Sequence, residues 1–226
     1  MMEIEVLKDI LSTNNQIAEQ NRQLLDSKKI MAVNLMSSPG AGKTTLIMET
    51  VKALKGEARV GVIEGDVSAS IDAEKLSKAG VAVVQINTGG ECHLDAGMVH
   101  SALTNLPLDE IDVLFIENVG NLICPGEFAL GEHLKVVIAS TPEGDDKPHK
   151  YPLLFTIADA FVVNKVDLLP YVNFSTEDFS QAAKGMNQKA SLFLVSGTTG
   201  EGIDKWREWL LENLDRVRAN RDVRNS

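Results

Sequence analysis

Ser37-Ser38-Pro39-Gly40-Ala41-Gly42-Lys43-Thr44-Thr45 follows the apolar run Ile30-Met31-Ala32-Val33-Asn34-Leu35-Met36 and precedes Leu46-Ile47-Met48-Glu49-Thr50-Val51. A buried strand, a turn of small residues and a helix start are the setting in which a phosphate-binding loop works. Consecutive backbone N–H groups there point into one concavity, and the positive end of the helix dipole adds to their pull on an anion. The expected contacts to a triphosphate come from Pro39, Gly40, Ala41, Gly42, Lys43, Thr44 and Thr45. Lys43 would reach the outer phosphates, and the Thr44 hydroxyl would bind the magnesium that accompanies them. Ser37 stands where the consensus G-x-x-x-x-G-K-[ST] has its first glycine; Gly42-Lys43-Thr44 anchors the match.

Outward from this loop, apolar runs alternate with helical patterns, with strands predicted over 59–64, 81–86, 113–116, 136–139, 160–163 and 192–195. Such alternation predicts an α/β fold of the P-loop NTPase type, a mostly parallel sheet covered by helices on both faces. Ligands of such sheets collect at the carboxyl ends of the strands. Ile4, Leu7, Ile10, Leu11, Ile17, Leu24 and Leu25 recur at helical spacing, so residues 1–28 are read as an amphipathic helix laid against the main domain. Asn14 and Asn21 interrupt its stripe. Residues 29–217 make the main domain, 141–152 a polar surface loop and 218–226 a frayed tail. Ile203, Trp206, Trp209, Leu210 and Leu214 have the spacing of a core-facing helix.

Of the 226 residues, 44% are apolar and 24% charged, the balance of an ordinary globular domain. A net charge of −10 argues against broad electrostatic binding to nucleic acid or to an anionic membrane. No apolar stretch approaches the ~20 residues of a membrane span. Met1-Met2-Glu3-Ile4-Glu5 lacks the layout of a signal peptide, so a cytoplasmic location is expected. Cys92 and Cys124 are too few for a disulfide framework.

Glu64-Gly65-Asp66 and Glu117-Asn118-Val119-Gly120 each end a predicted strand, which brings their carboxylates to the edge that carries the phosphate loop. Thr44, Asp66 and Glu117 are the expected magnesium ligands, direct or through water. Asp66 is also the candidate for orienting the attacking water, with Lys43 the other catalytic residue, and Gly120 can offer its N–H to a terminal phosphate. Asn164-Lys165-Val166-Asp167 follows another strand. A carboxylate at Asp167 accepts from guanine N1–H and the 2-amino group, two donors that adenine lacks, and so selects the base. Lys165 would lay its stem over the base and Asn164 would brace neighbouring loops. Ser196-Gly197-Thr198 would let backbone approach the guanine carbonyl.

Phosphate loop, Glu117-x-x-Gly120, Asn164-Lys165-Val166-Asp167 and Ser196-Gly197-Thr198-Thr199-Gly200 occur in the order found in GTPases. Ser38-Pro39-Gly40-Ala41-Gly42-Lys43-Thr44-Thr45, Glu91-Cys92-His93-Leu94-Asp95-Ala96 and Glu117 to Pro125 narrow the match. Over residues 30–212 the chain resembles the HypB family, the nickel-incorporation GTPases of [NiFe]-hydrogenase maturation, within the SIMIBI class. The resemblance implies GTP hydrolysis to GDP and phosphate, homodimerisation on GTP binding and a transition-metal site at the dimer interface. It also implies a HypA-like nickel chaperone and the [NiFe]-hydrogenase large-subunit precursor as partners. The cysteine-rich motif and histidine-rich tract found near the amino terminus of some members do not occur in these 226 residues. A GTPase chaperone of the urease or cobalamin-mutase type, and a small-molecule kinase on the same loop, are the other readings. The urease type carries Cys-Pro-His where this chain has Cys124-Pro125-Gly126.

Cys92, His93 and Cys124 are the expected nickel or zinc ligands, since thiolate and imidazole suit either ion. Cys92 and His93 are adjacent, so in an extended or turning backbone their side chains are expected to diverge and not easily to chelate one ion from one chain. Two facing chains would complete the site. Cys124 lies just beyond the segment that senses the phosphate, so ordering by GTP is expected to create the site and hydrolysis to dissolve it. His100 is read as packing, and His133 and His149 carry no metal signal.

Overall fold

The computed structural model describes residues 2–66 and 71–224, without the side chains of 2–9, 71–72 and 220–224. Its strands are β1 Met31–Ser37, β2 Val60–Asp66, β3 Ala82–Asn87, β4 Val113–Glu117, β5 Leu134–Ser140, β6 Ala160–Asn164 and β7 Ser191–Leu194. They form one parallel sheet in the order β3-β2-β4-β1-β5-β6-β7. The helices are α1 Met2–Lys28, α2 Lys43–Ala53, α3 Ile71–Lys78, α4 Ala96–Leu103, α5 Lys147–Lys150, α6 Pro152–Ile157, α7 Thr176–Met186 and α8 Ile203–Arg224.

Central β1 is buried along its whole length, as a strand covered on both faces must be. Met31, Val33 and Leu35 pack with Leu46 and Ile47 of α2 and with Trp206, Leu210 and Leu214 of α8. Ala32 faces the other way, toward Leu25 of α1, Val99 and Leu103 of α4, Ile63 and Ile116. A third cluster joins Met36 and Phe161 to Phe155 of α6 and Phe179 of α7. The Trp206 indole N–H donates to the Thr50 hydroxyl at 2.9 Å, so the ring is committed to the core.

Asn14 and Asn21 turn out to be the pins of α1. The Asn14 amide donates to the Ala129 carbonyl at 2.8 Å and accepts from the Ala96 N–H at 2.8 Å. Asn21 donates to the carbonyls of Ala96 and Leu130 and meets His100 Nδ1 at 2.8 Å, which gives His100 a structural partner. The side chains of Ile4 and Leu7, part of the expected stripe, lie outside the described ones. The 141–152 connection is not a plain loop: it holds a 3₁₀ turn at Thr141–Glu143 and α5, and Thr141 and Pro148 are buried. The segment read as a frayed tail is helical to Arg224, and residues 225–226 lie outside the described ones.

His133 closes the seam between α1 and the sheet. Its Nδ1 accepts from the Ala32 N–H at 3.0 Å, which leaves the proton on Nε2, 3.0 Å from Asp26 Oδ1. Burial, helped by the charge of Arg22, pushes its pKa down to about 4. An unfolded histidine takes its proton near pH ~6.5, so below that value the unfolded state binds the extra proton first. Stability is therefore full above ~6.5 and falls as the pH drops toward the folded value. The expected loss is about 2 kcal/mol between pH 7 and pH 5. Urea midpoints at the two pH values check this, and the pH dependence should shrink in His133→Asn.

Candidate nucleotide and metal site

The turn between β1 and α2 is shaped by Gly42, which caps α2 at φ 92°. A Cβ there would stand 2.6 Å from Asn164 Nδ2, so both the backbone angle and the close approach call for glycine. Lys43 is buried, and its ammonium donates to Ser37 Oγ at 2.9 Å. Ser37, in the place of the consensus glycine, thus gives the lysine a resting acceptor. Burial pulls the Lys43 pKa below its ordinary range, while Glu117, Asp66, Glu143 and Glu64 pull it back up.

Parallel pairing sets Glu64 of β2 beside Glu117 of β4, and Asp66 ends β2 two residues beyond. The Thr44 hydroxyl donates to Glu117 Oε1 at 3.0 Å. Pro39, Gly40, Lys43, Glu64, Asp66, Glu117 and Gly120 line one cleft of about 360 Å³. Three carboxylates around one lysine would repel a bare triphosphate, whereas a divalent cation between carboxylate and phosphate oxygens removes the conflict. The oxygens of Thr44, Asp66 and Glu117 are the hard donors that magnesium takes. Gly120 abuts the phosphate loop: a Cβ on it would come within 2.9 Å of Pro39 Cα.

At the other end of the loop, Asn164 ties three segments together. Its Nδ2 donates to the carbonyls of Ala41 and Gly42 at 3.0 and 3.3 Å, and its Oδ1 accepts from the N–H groups of Lys165 and Gly197. Lys165 takes the left-handed conformation at φ 62°, and its ammonium reaches the Gly40 carbonyl at 2.6 Å. Its stem therefore crosses from the end of β6 to the phosphate loop. Asp167 is held by the Ser196 hydroxyl, which donates to Oδ1 at 2.6 Å and itself accepts from the N–H groups of Thr198 and Thr199. Thr45 lies against Gly197, 3.0 Å from where a Cβ would sit.

Cys92, His93 and Cys124 converge within a single chain, with one ligand atom from each inside 4.8 Å of the others. Cys92 Sγ is 3.5 Å from His93 Nδ1 and 3.1 Å from Cys124 Sγ. The expectation that neighbouring Cys92 and His93 would diverge is thus corrected. That expectation covers extended and turning chain alike, whereas the bend at residues 92–93, ahead of the Asp95 cap of α4, brings the two donors to one side. His93 also packs on the Phe128 ring, with centroids 4.1 Å apart, which turns the imidazole toward the cysteines. The hydrogen bond with Cys124 holds the Cys92 thiol above its ordinary pKa, with some burial and the Cys124 charge adding to the effect. Two sulfurs and one nitrogen form the donor set of a borderline-soft ion, and a tetrahedral ion would still have one position open.

Sequence reading passed over Asn118, Asn121 and Phe128, although the first two sit inside the stretch that carries the resemblance. Asn118 is buried and accepts from the Leu94 N–H at 3.0 Å; Asn121 donates to the Cys92 carbonyl at 3.2 Å. No helix among the described residues is long and apolar enough to cross a membrane.

Residues 31–194 match the family model of the CobW/HypB/UreG nucleotide-binding domain. The hydrogenase maturation factor HypB of Escherichia coli K12 is 48% identical over 210 residues, which cover 93% of this chain and 72% of that protein. The crystal structure of HypB from Archaeoglobus fulgidus superposes with a TM-score of 0.85 at 40% identity, covering 90% of this chain and 100% of that one. HypB from Helicobacter pylori, crystallised in complex with nickel, gives a TM-score of 0.87 at 35% identity, covering 90% of this chain and 96% of its own.

Proposed function

The chain belongs to the HypB hydrogenase maturation factors of the CobW/HypB/UreG family, and on that footing we propose that it is a GTP-hydrolysing metallochaperone that delivers nickel to [NiFe]-hydrogenase. One observation carries the reading: Cys92, His93 and Cys124 converge within one chain, and Cys124 lies four residues beyond Gly120, which abuts Pro39 of the phosphate loop. A nucleotide cleft lined by Glu117 and Gly120 and a soft-donor cluster that includes Cys124 are thereby joined by one short stretch of chain. Nickel is the cargo in this scheme and magnesium the companion of the nucleotide.

Each residue has a physical task. Asp167, oriented by Ser196, accepts from the guanine N1–H and 2-amino group, and Lys165 covers the base. Backbone N–H groups of 40–45 and the Lys43 ammonium hold the phosphates and stabilise the charge that shifts during transfer to water. Thr44, Asp66 and Glu117 would hold magnesium, whose charge offsets that of the phosphates. Asp66, which lines the same cleft, is also our candidate for orienting the attacking water. No arginine lines the described cleft, so intrinsic turnover should be slow, below about 1 s⁻¹. On GTP binding two copies pair, and the second supplies what the three-donor cluster lacks; hydrolysis loosens the pair and releases the ion. A HypA-like chaperone and the hydrogenase large-subunit precursor are the partners on either side of that transfer, and the setting is cytoplasmic.

The test is product analysis with γ-labelled GTP in the presence of a small-metabolite mixture. The chaperone reading expects all label as inorganic phosphate, in a reaction that adenosine triphosphate does not support. Label on an organic acceptor would overturn it in favour of a kinase.

A further inference from the structure

The backbone of the Cys92–Leu94 segment is fastened to the loop after β4 at two points by asparagine side chains from that loop, beside the Cys92–Cys124 thiol contact. Asn118 accepts from the Leu94 N–H and the Val119 N–H, each at 3.0 Å, and donates to Asn34 Oδ1 of β1 at 3.3 Å. Asn121 donates to the Cys92 carbonyl at 3.2 Å and accepts from the Ile123 N–H at 2.8 Å. The two bonds grip the backbone on either side of His93. Between the two asparagines in sequence lies Gly120, in contact with Pro39 of the phosphate loop, and shortly after them comes Cys124.

Without these bonds, Cys124 alone of the three donors would be joined to the Gly120 loop by a short run of backbone. Cys92 and His93 are otherwise anchored on the side of α4, where Leu94 is fully buried and the Asp95 carboxylate accepts from the Met98 N–H at 2.7 Å. A displacement at Gly120 would then pull one sulfur away from the other two donors instead of moving all three. We propose that Asn118 and Asn121 are positioning residues, a two-point clamp that makes Cys92 and His93 follow the Gly120 loop, so that nucleotide state sets the geometry of the whole donor cluster. The proposal rests on the reading that nucleotide occupancy reaches the cluster. A purely local role for the amides would change stability alone; the clamp changes the difference between nucleotide states.

The experiment measures nickel affinity by competition with a chromophoric chelator, for the full chain loaded with GDP or with a non-hydrolysable GTP analogue. Wild type, Asn118→Ala and Asn121→Ala are compared, with thermal melts of the metal-free proteins as the stability reference. The wild-type affinities should differ by about tenfold or more between the two states, within the usual range of coupling energies. In each variant the ratio should fall to within about twofold of one. No difference in wild type would overturn the functional reading beneath the clamp. A wild-type difference that persists in both variants would overturn the clamp alone. Should Asn118→Ala fail to fold because two N–H groups lose their acceptor, Asn121→Ala, whose side chain is only half-buried, decides the matter.

Discussion

Lys43→Ala is expected to lower the rate of GTP hydrolysis by on the order of 10²–10³-fold, the usual cost of losing one preorganised charge donor at a transferring group. The environment makes the residue hard to replace. Its ammonium is buried beside Glu64, Asp66 and Glu117, so the variant presents those carboxylates to an incoming anion with no cation of its own to offset them. Extra magnesium would restore part of the binding and little of the rate, because the metal neutralises charge without reaching the position that the lysine occupies above Ser37. Single-turnover phosphate release at saturating nucleotide, with magnesium varied, checks both statements. A rate within tenfold of wild type would place the charge stabilisation elsewhere in the cleft.

Asp167→Asn is expected to weaken guanine nucleotide binding by on the order of 10²–10³-fold, the loss of two charge-assisted hydrogen bonds. The same change should improve binding of xanthine nucleotides. Xanthine carries a carbonyl where guanine has its 2-amino group, so an amide at this position donates to that oxygen and accepts from N1–H. Orientation survives the substitution, since the Ser196 hydroxyl that donates to Oδ1 can donate equally to an amide oxygen. Titration with GDP and xanthosine diphosphate reads the exchange directly. Equal loss for both bases would mean that the substitution disordered the 196–199 turn, whose N–H groups rest on the same hydroxyl.

The sheet and the nucleotide cleft were legible in the sequence because their signals are local. A seven-residue buried strand, the small residues of the loop and the helix that follows all agree over positions 31–53, and parallel order follows from the alternation. The metal cluster was legible as a list of residues and illegible as a geometry. Adjacent side chains are expected to diverge, and nothing near Cys92 announces that Asn121 and Phe128, far along the chain, meet the Cys92 carbonyl and the His93 ring. The pins of α1 were hidden for the same reason: Asn14 and Asn21 look like faults in an apolar stripe until the carbonyls of Ala129, Leu130 and Ala96 are brought opposite them. Similarly, α5 is only four residues long, too short for helix periodicity to stand out from a polar loop.

The central claim is that occupancy of the nucleotide cleft governs metal capture at Cys92, His93 and Cys124. Size-exclusion chromatography with in-line nickel quantification, run on the wild-type chain with GDP and with a non-hydrolysable GTP analogue, tests it most directly. The account predicts a monomer with little co-eluting nickel in GDP, and in the analogue a dimer that carries nickel and loses it in Cys92→Ala. The same mass and the same nickel content in both nucleotide states would contradict it.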